Sequence, residues 1–176
     1  MFDDGAIASN MIRKSGFPPI VDASTRVLIL GSLPGEASLA ARQYYGNPRN
    51  AFWRLMEGVL DTPLVALAYE ARLAALLSRG VGLWDVIAEA ERPGSLDAAI
   101  RDPAANDLVA LVASLPGLRA VAFNGGTAAK LGGRLIGDRV ATLALPSSSP
   151  AHAARSFAQK AALWNGLRAF LPTRAG

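Results

Sequence analysis

The stretch RVLILGSLPGEASLAARQYYGNPRNAFW, residues 26–53, decides the fold. It opens on a short apolar run, Val27 to Leu30, that stops abruptly at Gly31-Ser32-Leu33-Pro34-Gly35. A run of that length, bounded by glycine and proline, predicts a buried strand of a parallel sheet rather than a helix. After it come a loop with two adjacent tyrosines and an apolar helical pattern from Asn50. A backbone-rich, aromatic-lined loop therefore follows the carboxyl end of a strand, where open α/β sheets bind ligands.

The same grammar recurs outward from this stretch. Phe52, Leu55, Met56, Val59 and Leu60 share one stripe of a helix over 50–60, and Asn50 suits its N-cap. A second helix is predicted over 65–79, stopped by Gly80. Strands are predicted over 81–86, 119–124 and 139–145, with helices starting at Asn106, Thr127 and Ser156. Residues 1–25 read as a lead-in without periodicity, and Asp102-Pro103 as a turn. Strand and helix thus alternate about four times, which predicts an α/β three-layer sandwich: a central four-stranded parallel sheet flanked by helices. The 176 residues are expected to form a single domain, with its core over 26–172.

Composition removes several kinds of chemistry. There is no cysteine, which rules out disulfides, thiolate metal sites and a cysteine nucleophile and suits a reducing cytosol. His152 is the only histidine, so neither a histidine metal cage nor a two-histidine relay is possible. Residues 31–35 form neither a Walker loop nor a dinucleotide fingerprint, and no GxSxG elbow occurs. The first residues, MFDDGAIASN, carry two aspartates and lack the pattern of a secretory signal; no apolar run is long enough for a membrane helix. We expect a cytoplasmic monomer that needs no cofactor and no metal. The net charge is +4, and only Lys14, Lys130 and Lys160 among the 18 basic residues are not arginine. That balance favours a polyanionic partner and bidentate phosphate contact, although a GC-rich genome also enriches arginine.

The polar residues near the predicted strand ends are mostly uncharged. Aromatic rings with amides suit a planar heterocycle, stacked on its face and bonded at its edge. The serines of PSSSPAHA, residues 146–153, suit a phosphate.

The run over 31–53 resembles the first signature of the uracil-DNA glycosylase superfamily. Its layout is that of the mismatch-specific uracil/thymine glycosylases, and its details are those of the hypoxanthine-DNA glycosylases. Gly31, Pro34, Gly35, Tyr45, Pro48, Asn50, Phe52 and Trp53 fall at matching spacing, and residues 146–153 resemble the second signature. The resemblance implies a base-excision enzyme acting on damaged DNA, in which Tyr45 stacks on the flipped base and Gly31, Ser32, Leu33, Pro34 and Gly35 wrap it. Asp85 and Asn124 stand where relatives place polar residues near the base or the backbone. Ser147, Ser148 and Ser149 are implied to grip phosphates, with Pro150, Ala151 and His152 reaching toward the duplex. Two departures matter. Leu33 stands where mismatch glycosylases have a catalytic asparagine and the main uracil enzymes an aspartate, and Ser147 stands where the latter have histidine. Both changes fit the hypoxanthine branch and move water positioning to another amide, Asn50 first and Asn47 second.

Plainer readings stay open at this stage. Asn50 is also a helix cap, Asn124 before Gly125 a turn former, Asp85 a cap or solvent-facing residue, and His152 a surface residue. A uracil glycosylase, a silent DNA-binding relative and a sugar-phosphate-binding domain are the competing functions.

Overall fold

Residues 12–174 are described by the structure, a computed structural model. Arg13–Ser15 forms β1 and Val27–Gly31 forms β2, followed by α1 (Glu36–Ala41), α2 (Phe52–Leu60) and α3 (Tyr69–Ser78). Then come β3 (Val81–Asp85), β4 (Ile87–Glu91), β5 (Arg101–Ala105) and α4 (Leu108–Ser114). The chain continues through β6 (Ala120–Asn124), α5 (Gly126–Ile136), β7 (Ala141–Leu145) and α6 (Phe157–Trp164).

Strands β3, β2, β6 and β7 lie side by side in that order, all parallel. This is the predicted central sheet. Within β2 the side chains alternate between two cores, as the pleat requires. Val27 and Ile29 join Phe52, Leu55, Met56, Leu76 and Trp164 on the face covered by α2, α3 and α6. Leu28 and Leu30 join Val121, Phe123, Leu108, Ala128 and Ile136 on the face covered by α4 and α5. A strand buried on both sides has no polar face to display, which is why its sequence reads as an unbroken apolar run. The chain leaves β2 for β3 on one side and returns later to place β6 on the other. The carboxyl end of β2 is thus the switch point of the sheet, where a crevice opens.

A second, antiparallel sheet, in the order β1–β4–β5, was not expected. Its segments RKS, IAEAE and RDPAA are short and charged, and only Ile87 and Ala90 among them are buried, so they carry no sustained apolar signature. Pro103 does not make a turn; it sits in β5, whose five residues are all exposed, on an edge where a missing N–H costs little. Residues 12–25 are also more than a lead-in. Ile20 exchanges backbone hydrogen bonds with Leu83 at 2.8 and 2.9 Å, covering the open edge of β3.

Helix starts differ where a side chain finds another use. Asn106 donates to the Asp85 carbonyl at 2.8 Å, and Asp107 caps α4 instead by accepting from Ala110 N. Glu57 accepts from the N–H groups of Leu64 and Val65, so that segment is satisfied outside a helix and α3 begins only at Tyr69. Ser156 caps α6 with a full capping box closed by Gln159. The short α1, unexpected from the sequence, ends at Arg42 with φ of 54°.

Candidate active site

The carboxyl ends of β2, β3, β6 and β7 open into one cleft of about 820 Å³. Every residue singled out from the sequence lines it: Gly31, Ser32, Leu33, Pro34, Gly35, Tyr45, Asn47, Asn50, Asp85, Asn124, Ser147, Ser148, Ser149, Pro150, Ala151 and His152. They come from five segments, so only the parallel sheet brings them together.

One wall is backbone. The carbonyls of Gly31 and Ser32 accept from Val86 N and Ile87 N at 2.8 and 3.0 Å. The carbonyls of Leu33 and Pro34 are held from behind by the guanidinium of Arg92, which is 2% exposed. Among the described residues the N–H groups of Ser32, Leu33 and Gly35 donate to no acceptor, while Pro34 has none to give. The wall therefore presents preset donors without competing carbonyls, a natural cradle for developing negative charge. The Leu33 side chain packs with Ile87 and Ala90, so this position supplies the cleft with backbone only.

The aromatic element is Tyr45. Its ring stacks on Phe52 at 3.8 Å between centroids and 17° between planes. Its φ of 54° is unusual for a residue with a side chain, and the surrounding loop holds it there. Gly46 N donates to Ser38 Oγ, Tyr44 N to Tyr69 Oη, and Tyr44 Oη to the Pro18 carbonyl at 2.7 Å. Tyr44 is consequently core, and Tyr45 is the tyrosine whose phenol stands at the cleft. Its hydroxyl is buried and makes no well-formed hydrogen bond; burial followed by the nearby Asp85 pushes its pKa up, against a weaker opposing pull from the Asn124 amide beside it.

At the floor, Asp85 faces Gly31. A Cβ on Gly31 would fall 2.6 Å from Asp85 Oδ1 and 3.3 Å from the Tyr45 hydroxyl, so only glycine fits there. Asp85 is 4% exposed and its Oδ2 has no hydrogen-bond partner. Burial, and then the charge of Asp97, push its pKa up to about 7 against the opposing pull of Arg92.

The opposite rim is built from amides and serines. Asn47 Oδ1 accepts from Arg49 N at 3.0 Å and Asn50 Oδ1 from Phe52 N at 2.9 Å. Asn50 therefore does satisfy the start of α2, from one residue before the cap position held by Ala51. Each carboxamide keeps a second lone pair and its NH2 donors for the cleft. Ala51 N donates to the Ser148 carbonyl at 3.0 Å, stitching this segment to the serine loop. Ser148 is 1% exposed and forms a reciprocal pair with Asn124: Nδ2 to Oγ at 2.8 Å and Ser148 N to Oδ1 at 2.9 Å. The polar atoms of those two residues thus brace the loop, and Ser147 and Ser149 are the serines left nearer its surface. Lys160, buried beneath, donates to the carbonyls of His152 and Ser149. Burial lowers its pKa.

Sequence reasoning missed the wall made by Ser95, Leu96 and Asp97. Ser32 Oγ donates to Asp97 Oδ1 at 2.7 Å and Glu36 N to Ser95 Oγ at 2.9 Å. Asp97 also bears on Asp85, and Arg92 ties the segment to residues 33–34. A cluster of Gly, Pro and Ser at 93–95 signalled a loop, but nothing local said where it would fold.

A parallel sheet covered on both faces, with a cleft at its carboxyl edge roomy enough for a nucleotide and walled by N–H donors and an aromatic ring, has the build of a DNA glycosylase. The profile of the Uracil DNA glycosylase superfamily matches residues 18–168, and the chain belongs to that superfamily. It is 44% identical over 139 residues to a hypoxanthine DNA glycosylase of Methanosarcina acetivorans, an alignment covering 79% of this chain and 88% of the relative. A hypoxanthine DNA glycosylase of Methanosarcina barkeri is 44% identical over 114 residues, 65% of this chain and 72% of that one. A solution NMR structure from Methanosarcina acetivorans, of a candidate uracil DNA glycosylase, superposes with a TM-score of 0.78 at 40% identity. That match covers 89% of this chain and 99% of the other. The chain is a DNA glycosylase, and its substrate is damaged DNA. Among the described residues no helix is long and apolar enough to cross a membrane.

Proposed function

We propose that this enzyme excises hypoxanthine from DNA by hydrolysing its N-glycosidic bond, with Asn50 holding the attacking water and Asn47 assisting. The observation that carries the reading is the pairing of a purely backbone wall at Leu33 with two carboxamides across the cleft. No carboxylate or imidazole occupies the position of Leu33, so hydrolysis relies on positioning and on stabilising the departing base. The flipped base lies against Tyr45, its polar edge toward the N–H groups of residues 32–35 and toward Asp85. As the C1′–N bond stretches, the sugar takes on oxocarbenium character, and water held by the Asn50 amide adds to C1′. Ser147, Ser149 and the turn to His152 receive the phosphates of the flipped nucleotide, with the rim residue Arg49 adding positive charge.

The reaction is monofunctional in this reading. Lysine is needed for a Schiff-base lyase step. Lys14 is paired to Glu36 at 2.8 Å, Lys160 is turned to backbone carbonyls behind the serine loop, and Lys130 does not line the cleft. The enzyme acts as a cytoplasmic monomer, without metal.

The deciding experiment incubates purified protein with duplexes carrying hypoxanthine, uracil, xanthine or only normal bases and follows base release. Hypoxanthine release without strand cleavage is expected. Preferential uracil release would move the enzyme to its uracil-excising relatives, and tight binding without release would make it a silent damage-binding protein.

A further inference from the structure

The base edge faces Asp85 in this cleft, yet holding the base and the water gives its carboxyl no part in bond breaking. Its backbone carbonyl is held by Asn106, so the end of β3 is fixed. Its side chain lies across from Gly31, where even a methyl group would collide with it. It has no salt-bridge partner among the described residues, and Oδ2 is buried with no hydrogen bond at all. The Tyr45 hydroxyl, near the same spot, is likewise unpartnered. Two unmet buried polar groups at the floor of one cleft cost stability, and native proteins keep such groups where a ligand satisfies them.

The groups facing this carboxyl are Asp97 from the 95–97 wall, Arg92 from behind it, and the phenols of Tyr44 and Tyr45 from the aromatic loop. His152 stands on the serine rim of the same cleft. Only Arg92 favours the charged form; burial and Asp97 oppose it more strongly. Near neutral pH the carboxyl therefore keeps a substantial share of its proton, as an acid with no internal acceptor.

We propose that Asp85 is the general acid of the excision reaction, delivering its proton to N7 of the flipped hypoxanthine as the C1′–N9 bond breaks. This rests on the reading of the cleft as a hypoxanthine site. The electrons of the C1′–N9 bond pass to N9 and the imidazole ring, the Asp85 proton binds N7, and the base departs as neutral hypoxanthine. Water adds to C1′ and loses a proton, and solvent restores that proton to the Asp85 carboxylate. A purine offers a basic ring nitrogen to such an acid. Uracil, which leaves as a stabilised anion and presents only carbonyl oxygens as acceptors, gains far less. The acid thus discriminates between the two classes of deaminated base.

The test is single-turnover excision of hypoxanthine between pH 5.5 and 9 by the wild type and by Asp85→Asn. The wild-type rate is expected to fall about tenfold per pH unit above pH 7 or so, and the variant to be slower by roughly 100-fold or more near pH 6.5, with no such fall. A second measurement needs no variant activity. Wild-type affinity is compared for hydrolysis-resistant 2′-fluoroarabino duplexes carrying hypoxanthine or 7-deazahypoxanthine, at pH 6. Loss of N7 should weaken wild-type binding about tenfold, the worth of one such hydrogen bond, and weaken binding by Asp85→Ala, which keeps no side-chain donor, at most twofold. If the variant does not fold, the wild-type pH limb and N7 dependence decide. A flat wild-type pH profile, equal N7 losses in the wild type and Asp85→Ala, or an Asp85→Asn variant of wild-type rate overturns the proposal. A wild type that releases no hypoxanthine overturns the functional reading and this proposal with it.

Discussion

Replacing Asp85 by asparagine should make the protein more stable at neutral and alkaline pH, by an amount that grows from about pH 4 to pH 7 and is constant above. The folded-state pKa is about 7 and the ordinary value 3.8, raised first by burial and then by Asp97. Below the ordinary value both folded and unfolded chains hold the proton, and the group costs nothing. As pH rises between the two values the unfolded chain ionises while the folded chain does not, so stability falls; above about 7 the loss levels off. Each unit of pH across that window is worth about 1.4 kcal/mol. From pH 5 to 8 the wild type should therefore lose about 3 kcal/mol relative to Asp85→Asn. That figure is a ceiling, because water entering the cleft eases the burial of a charge. For a domain of this size it corresponds to a divergence in Tm of roughly 6 to 12 °C. Urea unfolding of both proteins at pH 5, 6, 7 and 8, at constant ionic strength, measures it directly. Parallel stability curves for the two proteins would show that the Asp85 carboxyl ionises as freely in the fold as in the open chain. Asp85 would then hold no proton at neutral pH to deliver.

Other substitutions separate chemistry from architecture. Asn50→Ala should abolish base release in a single-turnover assay while changing DNA affinity little; it removes the hydrogen bond to Phe52 N as well, for about 1 kcal/mol of stability. Full activity in that variant would transfer the water to another residue. Tyr45→Ala should weaken capture of the lesion by about 1–3 kcal/mol in equilibrium binding, the usual worth of a base stacked on an aromatic ring. Unchanged affinity would remove the phenol from the base site. Asn124→Ala leaves the buried N–H and hydroxyl of Ser148 unpaired, and denaturant unfolding should register a loss of about 1–3 kcal/mol. The serine loop that Asn124 braces should loosen too, so DNA affinity is expected to drop.

The part of the fold that could be read directly comprised the four strands of the central sheet and the loops behind them. Strands β2 and β6 are buried along their whole length and β3 nearly so, and each appears as a short apolar run; β7, exposed except near Leu145, follows from the alternation with helices, which dictates parallel pairing. The cleft residues were legible for the same reason, since loops at the carboxyl ends of parallel strands share an edge. What stayed hidden lacked a local signature. Strands β1, β4 and β5 are short and charged, only β5 is fully exposed, and their pairing is decided by partners as distant as Arg13 and Glu91. Arg92 reads as one more arginine in a basic chain, yet it is buried and holds the carbonyls of residues 33 and 34, 58 residues or more earlier in the chain.

By itself the sequence determined the sheet, its strand polarity, the edge where the cleft opens and the chemical types gathered there, because periodicity and chain punctuation are local properties. Tertiary structure alone decided which of those groups face the cleft with free valences and which are used up inside the protein. Leu33 turns its side chain into the core, Asn124 and Ser148 satisfy each other, and Asp85 is left buried opposite a glycine. Hydrogen-bond satisfaction and the ionisation of a carboxyl depend on neighbours brought from across the fold, and no window of contiguous residues contains them.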